Sequence, residues 1–397
     1  MEIELSLFIG FYFLAAISCW IGFKSLRGGF RFADYVRRET SRPLPDFQPF
    51  ASVIAPGRGL EPGLADNLRP LLTQDYPRYE VLFVFDRADD AAIEVVNELT
   101  TAAKVTTRIV IAGPATDCGQ KVHNLRVATT QVHPESEVLV FVDMDARPGT
   151  NWLKQLVAPL QDEDLGASSG YRWFIPEKGS LASRLRSVWN ASIASALGAE
   201  TYKNFCWGGS TAIRRATFTA LSVYDYWEGT VSDDFTMTRV LVNAKFPIHF
   251  TPNCLVASVG DCHFKELLEF TTRQIKITRV YAPHLWLPLL LGSSLFTITF
   301  FGGLILLGLS QRLYVAFFLV VIFMLGATKS FIRFRAVSRV LKTSNRDLIA
   351  HMLLWPVASL LYLYNAIMAG FSQRITWRGI TYELKSPREA VIISRDS

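Results

Sequence analysis

Four short apolar runs recur early in the chain, and each stops at a residue that ends a strand. ASVIA (51–55) runs into Pro56-Gly57 and EVLFVF (80–85) into Asp86; TRIVIA (107–112) runs into Gly113-Pro114 and EVLVFV (137–142) into Asp143. Between them, 64–74, 90–103 and 121–131 have helical character. Strands that are apolar along their whole length are covered on both faces, and their alternation with helices predicts an α/β fold with a mostly parallel central sheet. Such sheets bind ligands beyond the carboxyl ends of their strands, so Pro56, Asp86, Gly113 and Asp143 are expected along one working edge. A dinucleotide site would need GxGxxG after the first strand. Gly57, Gly59 and Gly63 have the wrong spacing, and there is no Walker A motif.

The edge carries carboxylates. In FVDMDARPG (141–149), Asp143 and Asp145 point the same way if the backbone is extended. Two such groups repel unless a cation or a shared proton intervenes. Oxygen ligands suit Mg²⁺ or Mn²⁺, and a metal held there would assist departure of a diphosphate. The plainer reading is a polar turn before a helix starting near Trp152. Asp86, at its strand tip, is placed to accept hydrogen bonds from a base or sugar, while Asp89 or Asp90 caps the helix that follows. In WEGTVSDDFTMTRVL, Asp233 and Asp234 open a helix expected over about 234–243, with Ser232 or Asp233 as its cap. A carboxylate ionised at a helix start is also a usable general base. Lys121, in GQKVHNL, either meets a phosphate or is a plain helix-start lysine. In CWGGSTAIRR (206–215), Gly208 and Gly209 let backbone N–H groups approach a sugar or phosphate, or simply make a turn.

Apolar segments flank this region. LSLFIGFYFLAAISCWIGF (5–23) has no charge and is followed by Lys24, Arg27, Arg31, Arg37 and Arg38. Without a small-residue cleavage site it reads as a retained anchor whose flank lies in the cytoplasm. Segments 285–309, 313–328 and 348–369 predict two or three further spans; the basic stretch 329–346 between the last two is a loop or an interfacial helix. The predicted organisation is an anchor over 1–25 and a basic juxtamembrane linker over 26–49. A catalytic domain over 50–262 follows, then an amphipathic interfacial segment over 263–284, a membrane region over 285–372 and a tail over 373–397. The net charge of +6 is assigned to juxtamembrane Lys and Arg facing anionic headgroups, not to nucleic acid. The five cysteines form no CxxC pair and read as free thiols in a reducing compartment, without a zinc site.

Taken in order, these segments resemble an inverting family 2 glycosyltransferase, nearest the ceramide glucosyltransferase branch. The resemblance runs over about residues 50–285 and is carried by VIAPGRG (53–59), YEVLFVFDRADDAA (79–92), KVHNL (121–125), FVDMDA (141–146), GGSTAIRR (208–215) and SDDF (232–235). It implies a GT-A-type nucleotide-sugar domain that binds a UDP-sugar with Mn²⁺ or Mg²⁺. Asp86 would contact the nucleotide, and Asp143 and Asp145 the metal and diphosphate, with Asp145 the direct ligand. Asp234 would be the base, beside Asp233, and single displacement would turn an α-linked donor into a β-linked product. Two motifs depart from the family pattern: His123 stands where the family has Asn, and the Arg/Gln-x-x-Arg-Trp motif reads RQIKI (273–277), with Arg273 retained, Lys276 for Arg and Ile277 for Trp. Lysine keeps the charge but not the bidentate fork. With the membrane segments, the resemblance implies a lipid acceptor, ceramide-like first, and glucose as the first donor sugar. A polysaccharide synthase and a non-catalytic membrane scaffold are the alternatives.

Overall fold

The computed structural model describes residues 2–396, with residues 2–5 described by their backbone only. In chain order the elements are α1 (Glu2–Thr40), β1 (Ala51–Pro56), α2 (Leu64–Leu68), β2 (Tyr79–Phe85), α3 (Ala92–Thr100), β3 (Thr106–Ile111) and α4 (Gln120–Thr129). Next come β4 (Val138–Phe141), α5 (Trp152–Val157), β5 (Ala167–Ile175), α6 (Leu181–Ala194), β6 (Thr211–Arg214), α7 (Arg215–Ala220), α8 (Val223–Tyr226), α9 (Asp233–Asn243) and β7 (Ile248–Val259). The chain closes with α10 (Phe264–Tyr281), α11 (Pro283–Ser310), α12 (Leu313–Val337), α13 (Asn345–Leu353), α14 (Trp355–Phe371) and the strands β8 (Arg374–Trp377), β9 (Ile380–Ser386) and β10 (Glu389–Arg395). Two compact units result. The α/β unit holds Arg38–Glu177, Ala196–Gly260 and Gln373–Ser397; the helical unit holds Met1–Arg37, Lys178–Ser195 and Asp261–Ser372.

In the α/β unit the sheet order is β3-β2-β1-β4-β6-β5-β7. The pairs β1–β2, β1–β4, β2–β3 and β5–β7 are parallel, and only β6 runs against its neighbours. The α/β, mostly parallel sheet expected from the sequence is therefore present. β1 and β4 are buried at every residue, as strands covered on both faces must be, whereas β3 at the edge is mostly exposed. Beneath β4, Phe141 meets Trp227 edge to face at 5.5 Å. The indole N–H of Trp227 donates to the Asp233 carbonyl at 3.0 Å, which ties the core to the start of α9.

Residues 373–397, expected as a tail, contain an antiparallel three-stranded sheet instead. ITYELKS buries Ile380, Tyr382 and Leu384 by simple alternation, a period-two pattern short enough to pass for tail sequence. The Tyr382 hydroxyl accepts from the Gln120 N–H at 3.1 Å, so this sheet braces the first turn of α4.

In the helical unit, α1 runs unbroken to Thr40, so most of the expected linker is helix. Lys178–Ser195, expected within the catalytic domain, groups with this unit because α6 packs there: Trp189 stacks on Tyr362 at 4.8 Å. α12 is longer than segment 313–328 and carries the first part of the basic stretch. Pro356 sits at the start of α14, where a missing N–H is tolerated, and α13 and α14 meet at a 60° bend. Among the described residues, three helices, Ser6–Thr40, Pro283–Ser310 and Leu313–Val337, are long and apolar enough to cross a membrane, or four spans if the bent pair counts as one. On α10, Thr271 and Thr272 donate to the Asn365 side-chain oxygen of α14 at 3.2 and 3.0 Å.

Candidate active site

The carboxyl edge of the sheet gathers charge. Asp86, 4% exposed, follows β2, and its Oδ2 pairs with Arg58 Nε at 3.1 Å. Its Oδ1 is buried without a hydrogen-bond partner. Asp90 accepts from the N–H groups of Gly59 and Ala92, so it ties the loop after β1 to the turn that leads into α3, whose N-cap is Ala91. His123, the departure from the family pattern, bonds the Ala112 carbonyl at the end of β3 at 3.0 Å and is a structural strut.

Asp143 and Asp145 follow β4. Asp143 Oδ1 pairs with Lys121 Nζ at 2.8 Å and its Oδ2 with Arg172 Nη2 at 3.0 Å. Arg172 also reaches Asp145 Oδ2 at 3.3 Å, while Asp145 Oδ1 is buried with no partner. The guanidinium lies over the Trp207 ring, 4.8 Å from its centroid. Lys121, in the first turn of α4, also pairs with Asp233 Oδ1 at 3.2 Å. That turn is set by the Gly119 N–H, which donates to the Thr230 carbonyl at 2.7 Å. The chain alternates charge: Asp233, Lys121, Asp143, Arg172, Asp145.

Gly208 and Gly209 stand against this cluster. A Cβ on Gly208 would lie 2.2 Å from Asp233 Oδ2 and 2.7 Å from Lys121 Nζ; on Gly209 it would lie 2.3 Å from the Trp207 ring. The Trp207 ring leaves no room for a side chain at Gly209, and one at Gly208 would displace the Asp233 carboxylate and the Lys121 ammonium from their ion pair.

At the start of α9, Ser232 is the N-cap, its hydroxyl accepting from the Phe235 N–H at 3.3 Å. Asp234 Oδ1 accepts from the Ser232 hydroxyl and from the Phe235 N–H. Asp233 is 5% exposed and Asp234 is half-buried.

The ionisation pattern follows. Burial alone would lower the Lys121 pKa, but the charges of Asp143, Asp233 and Asp234 outweigh it and hold the amine protonated. Burial alone would raise Asp143, but Lys121 and Arg172 prevail and hold its pKa below the ordinary value. Asp233 goes the other way, to about 6: burial leads, the charges of Asp234 and Asp143 add to it, and Lys121 only partly opposes them. A raised carboxylate pKa means the folded state holds the proton more tightly than the unfolded chain, so stability falls as pH rises from 3.8 to about 6 and stays lower above. Asp233→Asn removes this titration. The variant's stability relative to the parent is expected to improve between pH 4 and pH 7, by on the order of 2 kcal/mol. Thermal melts of both proteins at the two pH values measure it, and a difference that does not change with pH contradicts it.

Arg273 and Lys276 lie on α10 in the helical unit; the Arg273 guanidinium sits 5.8 Å from the Phe270 ring centroid, and burial lowers the Lys276 pKa. In the same unit Arg279 lies over the Trp286 ring at 5.2 Å and donates to the Ala369 carbonyl. Sequence reasoning missed Arg172 and the role of Arg58. A lone arginine between Tyr171 and Trp173 in an otherwise largely apolar strand could have marked Arg172 as unusual, but not its carboxylate partners.

Among the described residues, no three His, Cys, Asp or Glu side chains gather as a metal cage. The orphaned Asp145 Oδ1 has capacity for a hard cation, so these residues fit a metal completed by substrate phosphate and water, not an all-protein site.

Comparison with known proteins bears on this arrangement. A 33% identical stretch of 81 residues aligns with ceramide glucosyltransferase 3 of Caenorhabditis elegans, over 20% of this chain and 18% of that protein. Among solved structures, a mannosyltransferase from Pyrobaculum calidifontis, in complex with GDP-Man and Mn²⁺, is similar with a TM-score of 0.49 at 17% identity, over 90% of this chain and 99% of that one. Glucosyl-3-phosphoglycerate synthase from Mycobacterium tuberculosis gives 0.33 at 13% identity, over 58% and 79%. The family model for glycosyl transferase family 21 matches residues 10–390. The motifs that pointed to a ceramide glucosyltransferase-like branch thus lie inside a match over nearly the whole sequence, and the chain belongs to glycosyl transferase family 21.

Proposed function

We propose that the protein is a membrane-bound inverting glycosyltransferase that moves a hexose, glucose first, from a UDP-sugar to the hydroxyl of a ceramide-like lipid. The observation that carries this reading, within a glycosyl transferase family, is the pair of orphaned carboxylate oxygens, Asp86 Oδ1 and Asp145 Oδ1, beside a part-buried chain of ion pairs. A buried acceptor left unmatched costs free energy that a ligand donating to it recovers.

Asp86 Oδ1 accepts from the nucleotide. Lys121, kept charged by its carboxylates, faces the diphosphate, and Gly208 and Gly209 bring backbone amides close to the same place. Asp145, backed by Asp143, would hold Mn²⁺ or Mg²⁺, which would supply Lewis-acid stabilisation of the departing diphosphate. Asp143 keeps Lys121 and Arg172 in register. At Asp234, the Ser232 hydroxyl and Phe235 N–H both bond Oδ1 and leave Oδ2 for the proton of the acceptor hydroxyl. Arg273 and Lys276 carry the charge of the altered motif. The amphipathic α10 suits an interface from which a lipid presents its hydroxyl, and the basic residues that follow the apolar part of α1 support a cytoplasmic catalytic domain.

Membranes containing the protein, given labelled UDP-sugars with Mn²⁺ or Mg²⁺, are expected to yield a labelled organic-phase product that EDTA abolishes. Label confined to polymer, or no turnover and no donor binding by folded protein, overturns the reading.

A further inference from the structure

A cavity of about 360 Å³ lies within the helical unit, walled by α1, α6, α11, α12 and α14. Much of its lining is apolar, including Ile21, Leu289, Leu295, Phe296 and Ile322. Two cations also line it, Lys329 and Arg333, one turn apart on the same side of α12. Lys329 Nζ donates to Ser25 Oγ at 2.6 Å. Arg333 is 4% exposed, and its Nε is buried with no hydrogen-bond partner; the Trp355 indole N–H, on another lining residue, is likewise buried and unmatched. The Tyr362 hydroxyl is already committed to the Trp189 carbonyl at 2.8 Å. Among the described residues, no carboxylate pairs with Lys329 or Arg333. α12 itself contains no Asp or Glu.

Two like charges one helical turn apart repel, and an arginine this buried cannot shed its proton to relieve the cost. Structures resolve this with a counter-anion. Here the missing anion must be an oxygen acceptor for a guanidinium Nε–H and an ammonium together, and it must tolerate apolar walls inside a bundle long enough to cross a bilayer. A phosphate diester meets the first condition and an acyl chain the second. A neutral hydroxylated lipid would leave both charges uncompensated.

We propose that this cavity binds an anionic phospholipid, its phosphate between Lys329 and Arg333 and part of an acyl chain along Leu289 and Phe296. The volume suits a headgroup and part of one chain. The site lies wholly in the helical unit, so it stands or falls independently of the chemistry proposed for the acidic cluster.

The test uses the full chain, purified and delipidated in neutral detergent. Its melting temperature and binding are measured with phosphatidylglycerol mixed micelles, with diacylglycerol micelles and with inorganic phosphate at matched ionic strength. Only phosphatidylglycerol is expected to raise the melting temperature. Its affinity is expected to fall about ten- to a hundredfold in Arg333→Gln. Gly292→Leu provides a second arm that does not depend on the folding of Arg333→Gln. Gly292 lines the cavity, and a Cβ there meets nothing within 4 Å, so the substitution fills the space with both charges intact. It is expected to abolish the phosphatidylglycerol effect. An equal shift with inorganic phosphate or diacylglycerol, or full phosphatidylglycerol binding by Gly292→Leu, overturns the proposal.

Discussion

Asp234→Asn is expected to slow sugar transfer by about a hundred- to ten-thousandfold, the usual range for loss of a positioned general base, while donor affinity stays within about twofold. Asparagine retains an oxygen that accepts from Ser232 and the Phe235 N–H, so the start of α9 keeps its cap and only basicity is lost. Asp233→Asn is expected to behave differently. That carboxylate is buried and bound to Lys121, so its loss disturbs Lys121 and, with the diphosphate role proposed for that lysine, is expected mainly in donor KM. The pH profiles separate the two. A base at Asp233, whose pKa is pushed up to about 6, would place a rising limb of kcat near that pH, and the limb would vanish in Asp233→Asn. If Asp234→Asn keeps parental kcat while Asp233→Asn loses it, the base is Asp233, and Asp234 is only a cap.

The parallel half of the sheet was legible because its strands are apolar on both faces and end abruptly. β1, β2, β3 and β4 fall within a residue of the runs read from sequence. The start of α9 was legible for a similar reason, since Ser-Asp-Asp before a helical run offers only a few ways to satisfy the first amides. Arg172 was not, because what it does depends on β6 lying between β4 and β5, a sheet order that no local pattern encodes. β8 to β10 were missed because their buried residues are too few to stand out from a polar terminus. The carboxylate pair was read as needing a cation, which is correct physics with more than one answer. Lys121 and Arg172 supply two cations from the protein itself, and only the orphaned Asp145 oxygen keeps a metal in the account.

Arg172→Met tests that electrostatic chain. The variant removes the contacts to Asp143 at 3.0 Å and to Asp145 at 3.3 Å and leaves two neighbouring carboxylates against one lysine. Breaking a fully buried pair from one side costs about 3–5 kcal/mol; these carboxylates are only part-buried and water screens the stranded charge, so a loss of about 1–3 kcal/mol is expected at pH 7. The sign of its pH dependence follows from Asp143. In the parent its pKa lies below 3.8, so its ion pairs add stability above that pH and lose it as pH falls through the lowered value. Without Arg172 the Asp143 pKa rises, its proton returns at higher pH, and the gap between parent and variant narrows as pH drops toward 4. Asp143→Asn in the Arg172→Met background is expected to recover part of the loss, since it removes the stranded charge; two independent sites would add instead. Arg172→Lys should recover less than full stability, because an ammonium cannot span both carboxylates as the guanidinium fork does. Thermal melts across pH in one detergent compare all four proteins. An Arg172→Met variant as stable as the parent at pH 7 would mean that Asp143 and Asp145 are reconciled by something other than Arg172, and a shared proton or a tightly retained metal would then have to take its place.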